Sequence, residues 1–147
     1  MILFLLEDST TMDKKSSKME SLRKLLHDVG HDARILDGRD ETTKAELSPV
    51  QVAAHIEQIV MEESQVVGLI LDLDLFRNTE YGGEVLDSLR SKIGSVQIKK
   101  TVIYSRMVAS KIEYWSERLQ VPEEHIFPRS VTRISDIVEQ FSEFIED

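Results

Sequence analysis

The sequence predicts one α/β domain built on a doubly wound parallel sheet. Three observations predict it. Short apolar runs alternate with segments of helical spacing along the whole chain. Two of those runs, Ile2-Leu3-Phe4-Leu5-Leu6 and Val66-Val67-Gly68-Leu69-Ile70-Leu71, are continuous rather than alternating. Strands buried on both faces beneath helices have that pattern. The resulting order is β-α-β-α-β-α-β-α-β-α, and strict alternation closes through right-handed crossovers onto a parallel sheet. A length of 147 residues suits a single domain, 1–147, and is short for two.

The elements follow in order. Ile2 to Leu6 forms the first strand; five residues without a basic flank make neither a leader peptide nor a membrane span. Met19, Leu22, Leu25, Leu26 and Val29 recur with helical spacing and stop at Gly30. Ala33-Arg34-Ile35-Leu36 is the second strand. The polar stretches 10–17 and 37–47 read as loops. Ser48-Pro49 opens a helix with an N-cap and a proline at the first helical position, and Val52, His55, Ile56 and Ile59 continue it. The third strand precedes a helix with Val85, Leu86 and Leu89, ended by Gly94. Thr101-Val102-Ile103-Tyr104 is followed by a helix with Ile112, Trp115 and Leu119. His125-Ile126-Phe127 is followed by a last helix carrying Ile134, Ile137, Val138, Phe141 and Ile145.

Composition removes several function classes. Lys+Arg is 18 and Asp+Glu 27, a net charge of −9 that argues against direct nucleic-acid binding. Without cysteine there is no disulfide, thiolate chemistry or Cys-ligated zinc. Hydrophobic residues at 41% supply a core, and no stretch reaches membrane length, so a cytoplasmic domain without a membrane partner is expected. The histidines 27, 31, 55 and 125 show no metal spacing and read as structural, with His55 at the core edge of its helix. Tyr114 and Trp115 read as packing residues.

In doubly wound sheets, ligands sit beyond the carboxyl ends of the strands. Strand one ends in Glu7-Asp8, strand three in Asp72-Leu73-Asp74, strand four in Ser105-Arg106 and strand five in Pro128-Arg129-Ser130. Clustered carboxylates repel one another and need a cation, and oxygen ligands suit Mg²⁺. Mg²⁺ with a hydroxyl and a guanidinium makes a cradle for a phosphoryl group. A carboxylate beside that cradle can act as nucleophile and form an acyl phosphate.

Those residues, in FLLEDSTTM, LILDLDL, GGEVLDSLR, VIYS and IFPRS, resemble the receiver domain of two-component response regulators. The resemblance spans nearly the whole chain and implies a five-stranded CheY-like, flavodoxin-like (βα)5 fold of strand order 2-1-3-4-5. It implies that Glu7, Asp8 and Asp72, with the Asp74 carbonyl, hold Mg²⁺. Asp72 is then the phosphoacceptor, Ser105 the hydroxyl that binds the phosphoryl group, and Arg129 its cationic partner. Asp74 is the alternative acceptor, because the family's helix-three glycine lies eight residues after the acceptor. Gly82 is eight after Asp74 and ten after Asp72. A two-residue loop insertion costs little, which favours Asp72.

Four departures stand out. Arg129 replaces the family's lysine, a planar fork in place of a compact ammonium. Arg106 stands where a small residue is usual, Phe76 where proline is usual, and Ile126 where an aromatic switch residue is common. The implied partners are a histidine kinase or phosphotransfer protein, a downstream protein effector, and a second copy through the face of helices four and five and strand five. An alternative is a pseudo-receiver that binds proteins without phosphorylation. A remoter one is a phosphatase of the haloacid-dehalogenase type, whose D-x-D pair normally ends the first strand rather than the third.

Overall fold

The computed structural model describes residues 1–7, 18–63, 67–92 and 98–144. Asp8, the stretch 10–17, Val66, Gly94 and Ile145 lie outside the described residues. Five strands, β1 (Ile2–Leu6), β2 (Asp32–Leu36), β3 (Val67–Leu71), β4 (Ile98–Ser105) and β5 (Ile126–Pro128), alternate with five helices. The helices are α1 (Lys18–Asp28), α2 (Pro49–Glu63), α3 (Tyr81–Lys92), α4 (Ile112–Leu119) and α5 (Ile134–Glu139). The strands are all parallel, in the order β2-β1-β3-β4-β5. This is the doubly wound α/β fold expected from the alternation, in the flavodoxin-like strand order that the resemblance implies.

The continuous apolar runs are explained by period-two alternation across a sheet covered on both sides. Ile2, Phe4 and Leu6 of β1, with Val67, Leu69 and Leu71 of β3, face Val52, Ile56, Leu86 and Trp115 on one side. Leu3, Leu5 and Ile70 face Met19, Leu22, Leu26, Ile137 and Phe141 on the other. Each fully buried leucine or isoleucine contributes about 1.5–3 kcal/mol relative to exposure. That holds β1 and β3 rigidly at the centre, and with them the residues that follow at their carboxyl ends.

The local signals act as read at two places. Gly30 takes φ +101° directly after α1, a left-handed conformation that glycine adopts without steric cost. At α2 the Gln51 N–H donates to Ser48 Oγ at 3.2 Å, and the Ser48 N–H donates to Gln51 Oε1 at 2.8 Å. This reciprocal capping box fixes where the helix begins.

Four readings need correction. Leu25 is 37% exposed, so the buried stripe of α1 is Met19, Leu22 and Leu26 alone. His55 is exposed on α2 rather than at its core edge. The last helix stops at Glu139 and tightens into a 3₁₀ turn, Ser142–Phe144. Lys100 Nζ donates to the Gln140 carbonyl at 2.6 Å, satisfying a group that a continuing helix would use itself. Trp115 is buried as expected, whereas Tyr114 is exposed. Among the described residues, no helix is long and apolar enough to cross a membrane.

Candidate functional site

The carboxyl edge of the sheet brings Glu7, Asp72, Ser105 and Arg129 into one neighbourhood through backbone bonds that continue the strands. The Glu7 N–H donates to the Leu36 carbonyl at 3.0 Å, and the Asp72 N–H to the Leu6 carbonyl at 3.1 Å. The Arg129 N–H donates to the Ser105 carbonyl at 3.1 Å. Each of these residues therefore sits at a fixed height above the central strands.

Arg129 is the centre of the site. Its Nη1 donates to Asp72 Oδ2 at 3.3 Å, and its Nη2 donates to Glu7 Oε1. The side chains are 11% exposed for Arg129, 15% for Asp72 and 0% for Glu7. Its guanidinium carbon lies 5.6 Å from the centre of the Tyr104 ring, within cation–π range. The Arg129 carbonyl accepts from Lys18 Nζ at 2.9 Å, which ties the site to the start of α1. One guanidinium thus joins the ends of β1, β3 and β5.

Ser105 is fully buried, and its Oγ accepts from the Met107 N–H at 3.2 Å, capping the 3₁₀ turn Arg106–Val108. Only a lone pair is used there, so the hydroxyl proton is left to donate elsewhere. Burial pushes the Asp72 carboxyl above the usual carboxylate range, and the Ser105 hydroxyl and the Arg129 charge pull it back down. Arg106 is exposed at the head of the turn.

The spacing conflict between Asp72 and Gly82 has a structural answer. Leu75 and Asn78 form an isolated antiparallel bridge, with hydrogen bonds of 2.9 and 3.3 Å between them. Phe76 and Arg77 form the turn at φ +53° and +63°. This small hairpin takes up extra chain before α3. Gly82 then packs on the carboxyl end of β3: its N–H donates to the Leu73 carbonyl at 3.0 Å, and a Cβ there would collide with the Asp72 carbonyl oxygen. Of the two acids, Asp72 is the one that Arg129 contacts. Asp74 donates its N–H to Asp72 Oδ1 at a long 3.5 Å, and its own Oδ1 is buried without a partner among the described residues.

Phe76 also organises the 37–47 loop. Its ring meets Tyr81 edge-on at 5.7 Å, and the Arg39 guanidinium lies 4.8 Å above it. The Tyr81 hydroxyl donates to the Leu47 carbonyl at 2.6 Å, closing that loop against α3.

Mg²⁺ can be tested against these groups. Glu7 and Asp72 are two described carboxylates at this edge, and one guanidinium spans both. Among the described residues, no group of three or more Asp, Glu or His side chains could hold a metal. Mg²⁺ requires near-octahedral oxygen coordination at about 2.0–2.1 Å, which would have to displace the guanidinium. The described donor set therefore does not fit the ion. Asp8, the acid that the resemblance puts nearest the metal, lies outside the described residues.

Tyr104 and Lys18 also belong to the neighbourhood, and neither stood out in the sequence. Tyr104 lies in a strand run and reads as core; its position directly before Ser105 is the one signal of its place beneath the site. Lys18 has no sequence signal, because it bonds a backbone carbonyl. No family model, curated protein or solved structure matches the chain. The class that fold and site define is a flavodoxin-like α/β protein with a carboxylate–arginine–carboxylate cluster at the carboxyl edge of its sheet.

Proposed function

We propose that the chain is a receiver-type signalling module in which Asp72 accepts a phosphoryl group from the phosphohistidine of a kinase or phosphotransfer protein. A downstream protein then reads the changed surface. The observation that carries this reading is the convergence of a carboxylate, a hydroxyl and a guanidinium from the ends of β3, β4 and β5. An Asp72 oxygen attacks phosphorus, the P–N bond breaks, and its electron pair passes to the imidazole nitrogen, which takes up a proton. Arg129 stands beside the oxygens that gain charge, and the Ser105 hydroxyl can donate to one of them. The near-burial of Asp72 keeps water from the acyl phosphate that forms.

Arg129 would then exchange a carboxylate for a phosphoryl group, which a guanidinium binds through two parallel hydrogen bonds. Its contacts with Glu7 and the Tyr104 ring pass that movement to β1 and β4. The test is incubation with phosphoramidate followed by intact mass measurement. A gain of one phosphoryl group is expected, lost in Asp72→Asn and retained in Asp74→Asn. No gain on a protein shown by circular dichroism to be folded would overturn the reading. A second reading, a protein-binding module independent of phosphorylation, is favoured by the Glu7–Arg129–Asp72 ion pairs, which already engage the acceptor.

A further inference from the structure

We infer that Arg129 is the resident cation of this site, in the place of a divalent metal, so that phosphoryl acceptance at Asp72 proceeds without Mg²⁺. The inference rests on the phosphoacceptor reading above and extends it to the site's cofactor requirement.

Four observations carry it. The Glu7 side chain is fully buried, where a carboxylate is costly without a charge-assisted partner, and Arg129 is such a partner. The fork reaches two acids at once, Glu7 through Nη2 and Asp72 through Nη1, from the fixed plane of one guanidinium. The guanidinium also lies within cation–π range of the Tyr104 ring, while Lys18 Nζ holds the Arg129 backbone carbonyl. A divalent ion between Glu7 and Asp72 would meet this fixed positive charge at contact range and would lose the oxygens it needs.

With phosphoramidate as donor the step balances without metal. The Asp72 oxygen forms the new P–O bond, the P–N bond breaks, and nitrogen leaves as ammonia carrying the electron pair and a proton from solvent. Arg129 neutralises charge on the phosphoryl oxygens throughout.

The closing experiment has two independent readouts. Labelling by phosphoramidate is followed by intact mass, once in excess EDTA and once in Mg²⁺. Mn²⁺ binding is followed by electron paramagnetic resonance on the parent, Arg129→Met and Arg129→Lys, each with and without Asp72→Asn. The inference expects labelling rates within twofold of each other in EDTA and Mg²⁺. It expects no Mn²⁺ binding in the parent that Asp72→Asn removes. Arg129→Met should be labelled at least tenfold more slowly in EDTA and should gain a Mn²⁺ site that Asp72→Asn abolishes. Should Arg129→Met fail to fold, Arg129→Lys keeps the charge and should show a Mg²⁺ dependence of labelling absent from the parent. Labelling of the parent only with Mg²⁺, or parental Mn²⁺ binding lost with Asp72, overturns this inference while leaving the phosphoacceptor reading intact. No labelling in either condition overturns the phosphoacceptor reading and the labelling claim together, and the Mn²⁺ titration alone then decides whether Arg129 bars the metal.

Discussion

Asp72 is held between opposing forces. Burial raises its carboxyl above the usual range, with the Ser105 hydroxyl and Arg129 acting against the rise. A carboxylate whose folded pKa exceeds its unfolded pKa binds protons more tightly when folded. Its contribution to stability therefore falls as pH rises from the unfolded pKa through the folded one, and the cost persists at neutral pH. Asp72→Asn, which keeps the shape and removes the charge, should raise stability at pH 7 by about 1 kcal/mol. Urea midpoints measure this, and a fall of similar size would show that the Arg129 pairing outweighs burial. The edge residues Glu7, Asp72, Ser105 and Arg129 were legible in the sequence because each closes or directly follows an apolar strand run. The pairing between them was not, since only the folded sheet brings β1 and β5 to the same guanidinium.

At the scale of elements, the hairpin after β3 departs furthest from local preference. Both central residues of such a turn need positive φ, a conformation that favours glycine and asparagine. Phe76 and Arg77 adopt it instead, each against about 1–2 kcal/mol of steric cost. The Phe76 ring recovers some of this through Tyr81 and Arg39, whereas the exposed Arg77 has no such ring to pack. Arg77→Gly should stabilise the protein by about 1 kcal/mol in thermal or urea unfolding, with Phe76→Gly gaining less or losing. The neighbouring Tyr81 hydroxyl, its pKa pushed up to about 12 chiefly by burial, anchors the Leu47 carbonyl. Tyr81→Phe should cost about 1 kcal/mol and increase amide exchange in the 37–47 loop. Element order and type were readable from periodicity and caps. The length of α5 was not, because its end depends on Lys100 from another strand.

For the whole molecule, two histidines contribute to the loss of stability toward acid. His31 is buried, and its pKa is lowered by that burial and by the N-terminal ammonium, with the Phe141 carbonyl opposing. His125 is lowered by burial and by Lys100. A histidine with a depressed folded pKa contributes stability that is complete above its unfolded pKa of about 6.5 and is lost as pH falls through the folded value. The urea midpoint should therefore fall between pH 7.5 and pH 5.5, and His31→Gln should flatten part of that slope. An unchanged midpoint would refute the assignment. The sheet topology at this scale followed from strict alternation together with the receiver resemblance. The link from the N-terminus through His31 to Phe141 was invisible, because it joins residues from opposite ends of the chain.

The Glu7–Arg129 pair spans 122 positions. At a synthesis rate of about 5–20 residues per second, the arginine follows the glutamate by roughly 6–24 s on the ribosome. Through that interval Glu7 lacks the Arg129 guanidinium that it meets in the finished fold. The first strand to emerge is thus completed by the last, and a nascent chain ending before β5 should be captured by proteases that spare the finished one.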